Sequence, residues 1–283
     1  MSDLSLKDLH ALQLEIAKEI KRICEICNIE YFLIGGTLLG AIRHGGFIPW
    51  DDDMDIGMTC DYYDKFISIA PEYLDNRFSL HTFENDEKCG YVFAKLRLKE
   101  THMREAVLEG TGIDNGIFVD IFPYDLAGKK DSHRKSRHMT KLRLLGKLLM
   151  IKSGYRLNDI THNFLGKMLN TFLKVVPMSR NKCWMIISKE IKKSQIGEIQ
   201  DYYIERDGMF KGNFVFPKTI IEEKDVAFFE GVEFTIPKNY DNYLKNAYGD
   251  YMRLPPEEER KIGHSVIDVT LDKPFDSYFI EIK

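Results

Sequence analysis

Apolar residues at Leu6, Leu9, Ile16, Ile20, Ile23 and Cys27 recur with helical spacing behind a Ser5-x-x-Asp8 pair, which predicts one amphipathic helix with a capped start. A short β-rich run, YFLI, follows and leads through Gly35-Gly36 into a short helix, TLLGAIRH, and a second glycine pair, Gly45-Gly46. The next segment, FIPWDDDMDIGM, ends in a strand signal. A helix is expected over 60–72 and strands over 78–83, 91–98 and 117–122. Strands that alternate with helices in this way imply a mixed α/β core and argue against a sandwich. Three further helices are expected over 132–152, 161–175 and 178–194. Beyond Phe210 the strand pattern returns, with DVAFF and VEFTIP flanking Glu230-Gly231 as a hairpin, and Tyr240–Tyr248 reads as a helix closed by Gly249. The pattern divides the chain into a core over 1–128, a helical segment over 129–194 and a strand- and hairpin-rich elaboration over 195–283, packed on the core.

Composition narrows this picture. The 283 residues are 44% hydrophobic and 12% aromatic, enough for a sizeable core and incompatible with disorder, collagen or coiled coil. The longest stretch without an acidic or basic residue, Tyr31–Ile42, is short of the roughly 20 apolar residues of a spanning helix. The opening MSDLSLKD has neither the basic nor the apolar region of a signal peptide, and five cysteines give no disulfide framework. The expected compartment is the cytoplasm, with a peripheral position at the inner face of the membrane as the alternative.

Net charge is −4, but it is unevenly distributed. From Lys129 to Lys193 there are 17 Lys or Arg against three acids, a net of +14, so the remainder carries −18. In the first basic helix Leu142, Leu145, Leu148 and Leu149 lie among Lys141, Arg143, Lys147 and Lys152. Such a helix either faces anionic lipid or packs its leucines on the core while its cations meet the acidic arms.

The carboxylates carry the chemistry. If MDIGM is a strand, Asp53 and Asp55 project to one side and Met54 and Ile56 to the other. Two such acids stay ionised together only with a cation between them, and a hard divalent ion, magnesium or manganese, fits oxygen ligands. In GIFVDIFPYD, Ile117, Val119 and Ile121 occupy one face of an expected strand and Asp120 lies on the other between Phe118 and Phe122, so an acid inside so apolar a strand also needs a partner. With Gly35, Gly36 and Thr37 supplying backbone N–H groups for phosphate oxygens, the set describes a metal-assisted phosphoryl-transfer site. Alone, Asp51-Asp52-Asp53 would read as a solvated turn or helix cap. The glycine pair, the strand periodicity and the distant VDI reverse that reading.

GGTLLGAIRHGGFIPWDDDMDIG resembles the signature of the LicD family of phosphotransferases, which is similar to the fukutin-related proteins. FVDIFPYD, FVFPKTIIEEKDVAFFEGVEFTIPKNYDNYL and KNAYGDYMRLPP resemble later blocks of that family. The resemblance implies a nucleotidyltransferase-like core in which Gly35, Gly36 and Thr37 match the turn, Asp53 and Asp55 the metal-binding pair, and Asp120 the third carboxylate. Asp51 matches a further family acid that would support the metal from behind. The spacer between Gly36 and Asp53, lengthened by RHGGFIPWDD, favours this family over a generic nucleotidyltransferase. The implied reaction transfers a phospho-alcohol, first choice phosphocholine from CDP-choline, to a hydroxyl of a glycan, lipid-linked glycan or teichoic-acid precursor, with release of CMP. CDP-ribitol or CDP-glycerol as donor, or nucleotidyl transfer with release of pyrophosphate, are the enzymatic alternatives. A noncatalytic module docking on membrane or nucleic acid is the reading from another class, and nucleic acid is not expected as a partner.

Other residues carry two readings each. Arg43 would clamp a diphosphate or pair with Asp51 or Asp52, and His44 would sit beside it or serve the turn. Lys95 and Arg97, two apart on one strand, would meet donor phosphates or lie as surface cations on an edge strand. Trp50 would stack on a base or a quaternary ammonium, or fill the core. Lys218, Glu222, Glu223, Tyr248 and Asp250 match family blocks without a chemically assigned role. Cys24 and Cys27, one helical turn apart, read as a buried pair, and His133, His138, His162 and His264 show no metal-ligand spacing.

Overall fold

The computed structural model describes residues 4–108, 110–113, 115–127, 132–194, 201–206, 215–260 and 266–279. Helix α1 (Leu6–Cys27) begins with the expected capping box, in which Ser5 and Asp8 each accept the other's backbone N–H, and ends at Asn28 in the left-handed conformation. Its Leu9, Leu12, Ile16, Ile20 and Ile23 are buried. Burying such a stripe, at about 25 cal/mol per Å2, is what docks the helix on the sheet.

The chain then runs through β1 (Phe32–Leu33), α2 (Gly35–His44), β2 (Asp55–Thr59), α3 (Cys60–Tyr73), β3 (Phe78–His81), β4 (Ala94–Leu98), β5 (Thr101–Glu105) and β6 (Phe118–Ala127). Four helices follow: α4 (Ser132–Lys152), α5 (Leu157–Ile160), α6 (Phe164–Val175) and α7 (Arg180–Ser194). The last part contains β7 (Tyr202–Glu205), β8 (Val215–Pro217), α8 (Lys218–Ile221), β9 (Lys224–Phe229), β10 (Val232–Pro237), α9 (Tyr240–Tyr248) and β11 (Val266–Leu271).

A seven-stranded mixed sheet organises these elements in the order β1-β2-β6-β4-β3, with β7 also beside β6 and β8 beyond β7. Among the described residues only β2 and β6 pair in parallel. Strand β6 is long enough to pair with β4 through its first half and with β7 through its second, on the same edge. This is the α/β mixed-sheet architecture that the resemblance implies. No helix among the described residues is long and apolar enough to cross a membrane.

Strands β5 and β7 carry no pattern in the sequence, and β8 and β11 fall in the strand-rich C-terminal part without a run of their own. All four are short; β5 and β11 pair across the chain, joining Thr101 to Leu271, and β7 joins the distant β6, Tyr202 to Ala127, with β8 added at its edge. Window periodicity has no access to such pairing. Leu142, Leu145, Leu148 and Leu149 of α4 are all buried in the main core. The lipid-facing reading of those four leucines is therefore wrong: α4 packs them inward, and Lys141 pairs with Glu190 of α7 at 2.9 Å.

Candidate active site

The chain passes from β1 directly into α2, so Gly35 and Gly36 form the first turn of a helix and not the loop turn expected of them. Gly35 has φ +54°, and a Cβ there would lie 3.3 Å from Asp55 Oδ2. A Cβ on Gly36 would lie only 2.6 Å from Asp51 Oδ2. The two glycines thus let two carboxylates approach the N-terminus of α2, whose partial positive charge favours anions. Thr37 is buried, and its hydroxyl accepts the Asp55 N–H at 2.8 Å. That hydroxyl braces the start of β2.

Asp55 opens β2 and lies abreast of Asp120 in the parallel register with β6. Asp53 precedes the strand, so the expected alternation holds in the extended segment before β2 and not within the strand itself. Asp51, Asp52 and Asp53 place carboxylate oxygens within 4.8 Å of one another. Helix α1 fixes this loop by its main chain: His10 Nε2 lies 2.7 Å from the Asp51 carbonyl, and Gln13 Nε2 donates to the Asp52 carbonyl at 2.9 Å. Burial pushes the Asp55 carboxyl well above the usual carboxylate range, and Asp53, Asp120, Glu205 and Asp51 push it further in the same direction. Carboxylates held this close, with oxygen-only ligand chemistry, suit a hard divalent cation.

Lys95 and Arg97 are not edge-strand surface cations. Strand β4 lies between β6 and β3, and both side chains are buried. Lys95 faces Asp120 across the β4–β6 register, with Nζ 2.7 Å from Oδ1, and sits 3.3 Å above the centre of the Phe118 ring. Lys95 is therefore the partner that an acid in so apolar a strand required. Arg97 donates to the Gly116 carbonyl at 2.7 Å and lies 5.2 Å over Phe118.

At the other end of α2, Arg43 Nη1 donates to the Tyr251 carbonyl at 2.7 Å, which ties it to the chain after α9 and not to the acids. Burial, then the like charge of Arg260, lowers its guanidinium from the ordinary value. Arg260 in turn lies 5.4 Å over the Trp50 ring, which meets His44 edge-on at 6.1 Å. Arg43, His44, Trp50 and Arg260 thus form a cationic, aromatic corner at the C-terminal end of α2. Lys218 stands apart, 3.6 Å from Glu222 within its own helical turn.

Several contributors lie outside the motif. Glu205 of β7 accepts from the Tyr124 hydroxyl at 3.0 Å; Tyr124 meets Tyr243 OH at 3.0 Å; and Tyr243 accepts the Gly35 N–H at 3.2 Å. A chain of buried hydrogen bonds therefore runs from the sheet to the first turn of α2. Burial raises the Tyr248 phenol, and Asp55 and Asp51 raise it next, so α9 delivers a second tyrosine to the acids. In the hairpin turn, Glu230 donates its N–H to the Gly45 carbonyl at 2.9 Å and accepts the Phe47 N–H at 3.0 Å. The hairpin so closes over the second glycine pair. Tyr124, Glu230, Tyr243 and Tyr248 lie in segments that resemble the family's later blocks, whereas Glu205 lies in none of them. The Cys24 thiol is buried and pushed up by that burial, as an inert core residue. His264 and the side chains of His133 and His138 lie outside the described residues.

A family model for the LicD/FKTN/FKRP nucleotidyltransferase domain matches residues 28–145, which contain the glycines and every acid of the motif. The chain is 48% identical over 50 residues to the human ribitol 5-phosphate transferase FKRP, covering 18% of this chain and 10% of that one. It is 39% identical over 95 residues to an uncharacterised protein of Rickettsia typhi, 31% of each chain. A lipopolysaccharide cholinephosphotransferase of Haemophilus influenzae, LicD, is 31% identical over 272 residues, which span 93% of this chain and 97% of the relative. Likeness sustained from end to end of both proteins makes this chain a member of the LicD family of phosphotransferases.

Proposed function

We propose that the chain transfers phosphocholine from CDP-choline to a hydroxyl of a cell-surface glycan precursor, in a magnesium-dependent reaction that releases CMP. The observation that carries the reading is that Asp55 and Asp51 lie against the first two residues of α2, with Asp53 within 4.8 Å of Asp51 and Asp120 abreast of Asp55. End-to-end likeness to a lipopolysaccharide cholinephosphotransferase supports choline as the alcohol.

Asp53 and Asp55 would hold Mg2+, with Asp51 behind them, and Asp120 would offer Oδ2 while Oδ1 stays on Lys95. The bound ion would neutralise charge on the diphosphate as the bridging bond breaks. Donor phosphate oxygens would meet the N–H groups at the start of α2, and the Arg43–Arg260 corner, where the like charge of Arg260 helps lower the Arg43 guanidinium, would draw in the anionic donor. The acceptor hydroxyl attacks the phosphorus that carries the alcohol, the bond from that phosphorus to the bridging oxygen breaks, and CMP leaves. The proton of the hydroxyl passes to a carboxylate of the cluster. Trp50 flanks this corner with its ring under Arg260 and would pack against the donor there.

A second reading, with a polyol such as ribitol as the alcohol, is favoured by the local likeness to FKRP. Incubating the purified protein and Mg2+ with CDP-choline, CDP-ribitol and CDP-glycerol, and following CMP, separates the two. Pyrophosphate release from a nucleoside triphosphate, with no CMP from any CDP-alcohol, would overturn both.

A further inference from the structure

Helix α6 carries its apolar residues on two sides. Leu173 and Asn170 face inward, Asn170 donating to the Thr161 hydroxyl at 3.1 Å, and Leu169 packs against the core. Phe164, Leu165, Met168, Phe172 and Val175 lie on the opposite side and are between 55% and 77% exposed. At 3.6 residues per turn these five occupy one arc of about 100° along the whole helix. A continuous exposed stripe of this kind marks an interaction surface, in contrast to scattered single hydrophobes.

The charge around the stripe indicates its partner. From Ile160 to Lys189 the chain has no Asp or Glu. Lys167 and Lys174 lie beside the stripe on α6, and Lys182 and Lys189 are exposed on α7. Arg180 is committed elsewhere, donating to the carbonyls of Phe83, Asp86 and Cys89. A two-fold copy of this face would bring lysine against lysine with no carboxylate to compensate. An anionic bilayer accepts both features, the stripe at the level of the upper acyl chains and the lysines at the phosphates. The helix has 12 residues, about 18 Å, too short to span and suited to lying in the plane of the interface.

We infer that the outer face of α6 docks the protein on an anionic phospholipid surface. The lipid-facing alternative weighed for α4 is thereby moved to a different helix, and the inference is independent of which alcohol is transferred.

Vesicle sedimentation of the whole 283-residue chain tests it. Retention is expected on phosphatidylcholine vesicles doped with phosphatidylglycerol, much less on phosphatidylcholine alone, and it should fall as salt is raised. Leu165→Ser with Phe172→Ser should lower the partition coefficient by about tenfold or more while the thermal midpoint is kept, since both side chains are exposed. Lys167→Glu with Lys174→Glu should remove the phosphatidylglycerol dependence. Wild-type protein that is not retained by anionic vesicles, or a serine variant retained as well as wild type, would overturn the inference. So would a dimer by light scattering that the serine variant disperses, because the face would then belong to a second copy.

Discussion

Replacing Lys95 by Met distinguishes the two roles available to this residue. A lysine that reads donor phosphates would be lost with a rise in KM and little change in stability. In the structure, Lys95 is instead buried, 2.7 Å from Asp120 and seated on the Phe118 ring. Methionine keeps most of the apolar stem but removes the ammonium, which leaves Asp120 in a sheet interior beside Asp55 without that cation. Breaking one side of a buried pair costs about 3–5 kcal/mol. For a chain of this size that is a fall in Tm of roughly 6–10 °C, at about 2 °C per kcal/mol. Urea denaturation in chelator, read by tryptophan fluorescence, measures the loss. Adding Asp120→Leu to Lys95→Met should recover most of it, giving a coupling energy of about 2 kcal/mol or more in the double-mutant cycle. A Lys95→Met protein within about 0.5 kcal/mol of wild type, or single losses that merely add, would refute the ion-pair argument.

Asp55→Asn should abolish CMP release with the fold kept, and wild-type turnover in that variant would remove Asp55 from the mechanism. The folded-state value of this carboxyl is raised, so its ionised form costs stability above that value, and the cost disappears as pH falls below the unfolded value. In chelator, the Tm of wild type should therefore decline relative to Asp55→Asn as pH rises from about 4 to 8, and parallel curves would contradict the crowding of acids. Gly36→Ala should depress turnover more than stability, because its Cβ would lie 2.6 Å from Asp51 Oδ2; an alanine variant with wild-type kcat/KM would show that Asp51 is free to move. Tyr124→Phe removes a hydroxyl shared by Glu205 and Tyr243 and should cost about 1–3 kcal/mol of stability, measured by urea denaturation, with an unchanged midpoint counting against the buried chain.

Local physics determines what could be read directly from the sequence. The Ser5–Asp8 box, the leucine–isoleucine stripe of α1 and the Glu230-Gly231 hairpin depend on residues within a few positions of one another, and all appear where the pattern places them. The motif from Gly35 to Asp55 was equally legible, because a glycine pair followed by acids is a short-range signal with a chemical reason. Helix α4 shows where such reasoning stops: its leucines and lysines are compatible with lipid or core, and only the position of α7 and the sheet decides.

Tertiary structure alone determined which charges meet. Lys95 finds Asp120 because β4 and β6 pair in one register and not in another, and a shift of one residue would turn both side chains to opposite faces. Arg260 reaches Arg43, and Glu205 reaches the start of α2 through Tyr124 and Tyr243, from segments that carry no periodic signal of their own. The sequence by itself determined the inventory of acids, glycines and helical faces. Their assembly into one site depended on strand register and long-range packing, whose energies arise between residues too far apart in the chain for any local pattern to record.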